Sequence, residues 1–278
     1  MRFTRFCAIA TVFALTACGG GGEDTGSAAD NEAAADAAPA VDPSQAATIS
    51  GTVSFSGQPE VQSIDMSAEP DCAAKHTGGA SRKIVDVNGG KLHNVFVYVK
   101  EGLPQRSWPA GGAAPVLDQD GCEYKPHVLA VRAGQDFVIK NSDGLLHNIN
   151  AKPKTNRGFN VGQPTNMESK KQFSQQEVMV PVTCEVHGWM QAYIGVVDHP
   201  YYAVTNEDGT FSIQGLPPGT YTVEAWHEKL GTKTAQVTVA AQETKTADFA
   251  FGPATAQTKV PLGKPFDPHT HLAHNTQH

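Results

Sequence analysis

The chain has 278 residues, a formal charge of −7 and a sequence isoelectric point near 5.8, which argues against nucleic acid as its main partner. With 27 Gly and 18 Pro it favours a turn-rich, all-β chain over a helical bundle, and its length allows one large domain or two small ones. Five Cys are too few for a disulfide-stapled miniprotein and too scattered for a zinc ribbon, and no internal apolar stretch reaches the roughly 18 residues that span a bilayer.

Residues 1–18 place Arg2 and Arg5 before a short apolar run, Phe6 to Ala14, which is the layout of a secretory signal. The run ends in Leu15-Thr16-Ala17-Cys18, which resembles the bacterial lipobox. That resemblance implies cleavage before Cys18, acylation of its thiol and loss of Cys7 with the signal. Gly19 after the Cys points to the outer membrane of a Gram-negative envelope. The bland alternative is a plain signal peptide with an incidental Cys. Residues 19–46 carry Gly, Ala, Asp, Glu, Ser and Pro without one aromatic, so they cannot bury enough apolar surface to offset ordering entropy. They read as a disordered acidic tether, whose charge makes anionic headgroups a poor second anchor.

From residue 47 the pattern turns to period two. Ile49–Phe55 alternates apolar and polar, His93–Lys100 is a more buried strand, and Gln135–Lys140 lies between the turns at Ala133-Gly134 and Asn141-Ser142-Asp143-Gly144. Val178–Val182 is a further strand whose Pro181 belongs at an edge or a bulge, and Tyr193–Val197 follows. No run of 10–12 residues carries a helical stripe. Asn206-Glu207-Asp208-Gly209 turns between two alternating strands, and Leu216-Pro217-Pro218-Gly219 is a second turn.

The stretch from 201 to 250 resembles the carboxypeptidase regulatory-like, or transthyretin-like, β-sandwich. Such a domain opens with a strand of the kind at 49–57, here more than a hundred residues upstream. Two arrangements follow: a domain of about residues 110–200 inserted into a host made of 47–109 and 201–251, or a simple tandem. The nested one is the expectation.

The chemistry concentrates in Cys184-Glu185-Val186-His187-Gly188-Trp189-Met190 and in His147-Asn148, which lies 37 residues before Cys184. A blue copper site needs two imidazoles and a thiolate in a near-trigonal plane with a weak axial thioether. Cys-x2-His-x2-Met supplies three of these from one tight loop, and a His on a distant strand supplies the fourth. Residues of about 120–198 resemble the cupredoxin family, with loop spacing similar to that of amicyanin; plastocyanin and pseudoazurin have a longer His–Met gap. The resemblance implies a Greek-key sandwich with one type 1 copper ion held by His147, Cys184, His187 and Met190, and Asn148 steadying the thiolate and its loop. It also implies that His187, flanked by Gly188 and Trp189, meets the surface where electrons enter, unless Trp189 packs beneath the other domain. Zinc is the weaker alternative because a thioether is a poor zinc ligand. A binuclear copper centre would need a second Cys near Cys184, and a Cys184/His187 nucleophile–base pair fits the tight loop less well than a shared metal.

In an exported protein Cys72 and Cys122 read as a disulfide, with a second metal or redox site built with His76 and His127 as the alternative. Cys72 lacks the partner Cys of a haem-attachment motif. His269, His271, His274 and His278 sit in a tail, 252–278, read as disordered, which could catch metal weakly or be a bystander. His199 and His227 read as structural. The expectation is a non-enzymatic, lipid-anchored single-electron carrier of the bacterial envelope. It would serve a redox partner protein and bind neither nucleic acid nor a small-molecule substrate. The alternative is a non-redox copper-binding or cell-surface interaction module.

Overall fold

The computed structural model describes residues 41–108 and 111–253. The lipobox with Cys18, the signal, nearly all of the tether and the His-bearing tail lie outside the described residues. Among the described residues the only helix is the single turn Pro70–Ala73, and no helix is long and apolar enough to cross a membrane. The fold is all-β, in two sandwiches.

The first sandwich pairs Ala47–Phe55 with Thr210–Leu216 on one side and, in parallel, with Thr244–Thr246 and Phe249–Phe251 on the other; the short strands Lys91–Leu92 and Val87–Asn88 complete that sheet. Its second sheet runs Tyr202–Val204, Phe96–Glu101, Gly219–His227, Gly231–Val239. The alternation read at 49–55 is real: Ile49, Val53 and Phe55 turn inward to meet Phe211, Ile213, Val97, Val99 and Val223 in one core.

The second sandwich is built from strands between residues 116 and 197, which pair only with one another among the described residues. One sheet runs Glu168–Gln172, Asp136–Asn141, Val116–Gln119, Tyr124–Lys125. The other runs Phe159–Gln163, His147–Ala151, Glu177–Thr183, Gln191–Val197, Val128–Arg132. Leu117, Phe137 and Ile139 from the first of these sheets pack on Ile149, Val180, Val182 and Ile194 from the second. A separate hairpin, Glu60–Ile64 with Ala80–Val85, carries the segment 65–79 that includes the helical turn.

Two strands are buried on both faces, and they mark the junction. Val97 and Val99 face the first core, while Phe96 and Tyr98 face outward onto Val128 and Val197 of the second sandwich. In Gln191–Val197, Ala192, Ile194 and Val196 face their own core. On the opposite face Gly195 lets Phe96 come close: a Cβ there would lie 2.8 Å from Phe96 Cζ and 2.9 Å from Met179 Sδ. A strand covered on both sides reads as a continuous apolar run rather than an alternation.

Pro181 corrects the edge expectation in part. It lies in an inner strand, between His147–Ala151 and Gln191–Val197, but where the first of these has ended. Its carbonyl accepts from the Lys152 N–H at 3.0 Å, and a register shift falls between Glu177 and Val180 on the same strand. The missing N–H therefore leaves no ladder partner unpaired.

Candidate metal centre

His147 opens its strand, and Cys184 and His187 sit in the turn after Glu177–Thr183, so the two neighbouring strands bring them to one end of the second sandwich. The loop closes on itself. The Cys184 N–H donates to the Met190 carbonyl at 3.2 Å, the Met190 N–H to the His187 carbonyl at 2.9 Å, and the His187 N–H to Cys184 Sγ at 3.3 Å. His147 Nδ1 and His187 Nδ1 lie 2.9 Å apart, and Cys184 Sγ lies 3.9 Å from His187 Nδ1. One atom from each of the three residues falls within 4.8 Å of the other two, and all three side chains are buried. Met190 is buried in the same core cluster as Cys184.

Asn148 is the neighbour that ties the strand to the loop. Its side-chain oxygen accepts the Glu185 N–H at 3.0 Å, and its carbonyl accepts the Tyr124 hydroxyl. Its backbone N–H, with those of His187 and Val186, reaches the Cys184 sulfur; burial nonetheless outweighs them and pushes the thiol above its ordinary pKa. Burial, then the neighbouring His147, hold His187 below the usual histidine range. An imidazole biased toward its uncharged form at His187 and a thiol that must give up its proton at Cys184 are what a buried soft-metal site presents before metal enters.

Asp143 did not stand out in the sequence, where it reads only as part of a turn. In the fold it is fully buried. Its Oδ2 lies 2.8 Å from His147 Nε2 and accepts the Cys122 N–H at 2.7 Å; its Oδ1 accepts the Gly121 N–H at 2.8 Å and lies 2.9 Å from Lys75 Nζ. Burial works to raise this carboxyl, but Lys75, the Cys122 and Gly121 amides and His147 together hold it at about 2. The only sequence signal was its place four residues before His147.

Cys72 and Cys122 form a disulfide, with Cα atoms 5.7 Å apart. Both sulfurs are thereby withdrawn from the alternative metal site. His76 Nε2 instead bonds the Gly121 carbonyl at 2.7 Å, and His127 pairs with Glu228 at 2.6 Å. The bridge lies against the centre: Cys72 Sγ is 3.7 Å from His187 Nε2, and Trp189 donates its Nε1–H to the Cys122 carbonyl at 3.0 Å. His187 is therefore only 3% exposed, and the expectation that its ring reaches the surface does not hold. The segment 65–79 lies across it, a long-range contact that local spacing does not reveal. His199 accepts the Tyr201 N–H, and His227 accepts the Lys229 and Leu230 N–H groups; both are buried and stand apart from the centre.

Residues 191–252 match the carboxypeptidase regulatory-like domain. The match begins in Gln191–Val197, a strand of the second sandwich, and continues through the C-terminal strands of the first. No curated protein matches the chain. The solved structures similar to it include a purple cupredoxin, amicyanin variants and a copper-containing nitrite reductase. A purple cupredoxin from Nitrosopumilus maritimus is 18% identical over 30% of this chain and 98% of its own, with a TM-score of 0.26. An amicyanin mutant is 15% identical over 36% of this chain and 97% of its own, at 0.28. A copper-containing nitrite reductase from Thermus scotoductus is 14% identical over 34% of this chain and 25% of its own, at 0.29.

Proposed function

We propose that the chain binds one copper ion through His147, Cys184, His187 and Met190 and carries single electrons in the bacterial envelope, tethered by a lipid on Cys18. The observation that carries this reading is the convergence of one ring nitrogen from each of His147 and His187 and the Cys184 sulfur, all buried, within 4.8 Å of one another. That donor set fits copper, and the buried Met190 on the same loop adds a thioether, which copper accepts and zinc does not favour. Copper held there would supply a one-electron Cu(II)/Cu(I) couple. The chain's own part is to keep the donors fixed: the Asn148–Glu185 bond pins the loop, the loop's internal bonds fix Cys184 against His187, and burial excludes water. A rigid cage lowers the reorganisation that accompanies each electron. In this reading the chain is not an enzyme and serves a redox partner protein on the periplasmic or surface side of the outer membrane. It further takes residues 110–200 as a domain inserted into a transthyretin-like host of 47–109 and 201–251, which the separate strand pairing supports.

A second reading, a copper-binding module that does not exchange electrons with a partner, is favoured by the cover over His187, whose Nε2 faces Cys72 Sγ instead of solvent. One experiment addresses both. The purified mature chain is titrated with Cu(II) beside Cys184→Ser, with visible and EPR spectra followed by voltammetry. An intense thiolate-to-copper band with narrow EPR splitting, absent from Cys184→Ser, together with reversible voltammetry, is expected. A band without reversible redox behaviour would leave the second reading standing, and a pale complex unaffected by Cys184→Ser would sink both.

A further inference from the structure

The Asp143 carboxylate is placed as an acceptor for the groups that meet it. Four donors converge on its two oxygens: the Gly121 and Cys122 amides, the Lys75 ammonium and His147 Nε2, at 2.7 to 2.9 Å. An ionised carboxylate has no proton to give, so the His147 edge that meets it must carry the N–H. With the N–H on that Nε2 edge, the lone pair is left on Nδ1, the atom that faces His187 Nδ1. The carboxylate is itself fixed. Its two amide donors belong to the turn that holds Cys122, which the disulfide fastens to the covering segment, and the Asp143 N–H returns to Asn141 Oδ1 at 3.0 Å. Lys75, from that same covering segment, is the one cation in the group, and its side chain is 37% exposed.

We infer that Asp143 is a positioning residue that locks His147 with Nδ1 free for metal and, through its negative charge, biases the centre toward Cu(II), with Lys75 as a partial counter-charge. This rests on the copper reading above. A carboxylate bonded to the far nitrogen makes an imidazole a stronger donor, and the doubly charged ion gains more from that than the singly charged one. Removing the charge should favour Cu(I), and removing the lysine should do the reverse. A purely structural role has no reason to produce shifts of opposite sign.

The test compares the copper-loaded wild type, Asp143→Asn and Lys75→Met by voltammetry at low ionic strength, where screening is weakest. In parallel, nitrogen NMR of the metal-free proteins reads the His147 tautomer. Asp143→Asn is expected to reduce the preference for Cu(II) over Cu(I) about tenfold, an upward shift of about 59 mV for a one-electron couple. Lys75→Met should move the potential downward by less. The wild-type ring should show the Nε2–H form, and Asp143→Asn a mixture. Unmoved potentials, or shifts of the same sign in both variants, would overturn the role of Asp143 while a blue wild type kept the copper reading. A wild type that never develops the blue band would overturn both. If Asp143→Asn does not fold, Lys75→Met alone decides, because it removes only a half-exposed side chain; no downward shift there would end the inference.

Discussion

At the scale of single residues, burial sets the acid response. His227 is buried, and burial, countered only in part by Glu228, holds it at about 4, as its acceptance of two backbone N–H groups at Nδ1 requires. Its folded value lies below the unfolded one, so the unfolded chain takes up the proton first. Stability is unaffected above about pH 6.5 and falls as pH drops from there toward 4, by up to about 3 kcal/mol. Asp143, also depressed, contributes stability above its unfolded value and loses it as pH falls from about 4 to 2. Denaturant titrations across pH should show two successive losses, and His227→Gln should reduce the first, to which the buried His187 and His199 also contribute, while leaving the second. A first loss undiminished in His227→Gln would refute the assignment. Among the site residues, the types and spacing of His147, Cys184, His187 and Met190 were legible, because one loop and one strand supply them. Asp143 was not, because a carboxylate in a turn is usually solvated and only the fold seals it.

At the scale of elements, the segment 65–79 changes the character of the centre. Its polar, turn-rich sequence gives no periodic signal, yet the disulfide, the Lys75–Asp143 pair and the His76–Gly121 bond fasten it over the His187 imidazole. The bridge spans 50 residues of chain, and such a loop closure is worth about 4 kcal/mol in the chain-entropy picture. The Cys72→Ala/Cys122→Ala double variant should lose about that much stability in chemical denaturation, and its His187 ring should become open to imidazole-modifying reagents. Unchanged protection of His187 would show that the segment stays in place without the bridge. The long strands were readable from alternation and turn residues; Glu60–Ile64 and Glu168–Gln172 were not, because they bury few apolar residues and so carry little pattern.

At the scale of the whole molecule, the junction between the sandwiches includes one especially close approach. Any side chain at Gly195 meets Phe96 and Met179 at under 3 Å, so Gly195→Ala must displace the stack of Phe96 on Tyr98 and Tyr202. A cost of about 1–3 kcal/mol is expected, and Phe96→Leu should be less than additive with it in a double-mutant cycle. Full additivity would mean that the two side chains do not share that space.

The all-β class, the strands read at 49–55 and 135–140 and the Cys-x2-His-x2-Met loop followed from the sequence by itself, since alternation, turn chemistry and ligand spacing are local properties. Which strands join which sheet, the burial of His187 under a disulfide-bound segment and the placement of Asp143 behind His147 were decided only in the tertiary structure. Thr52 meets Asp248 across 196 positions, Cys72 meets His187 across 115, and Asp143 is sealed by Lys75 from the distant covering segment; loop-closure entropy grows too slowly with length for the spacing itself to say which residues will meet.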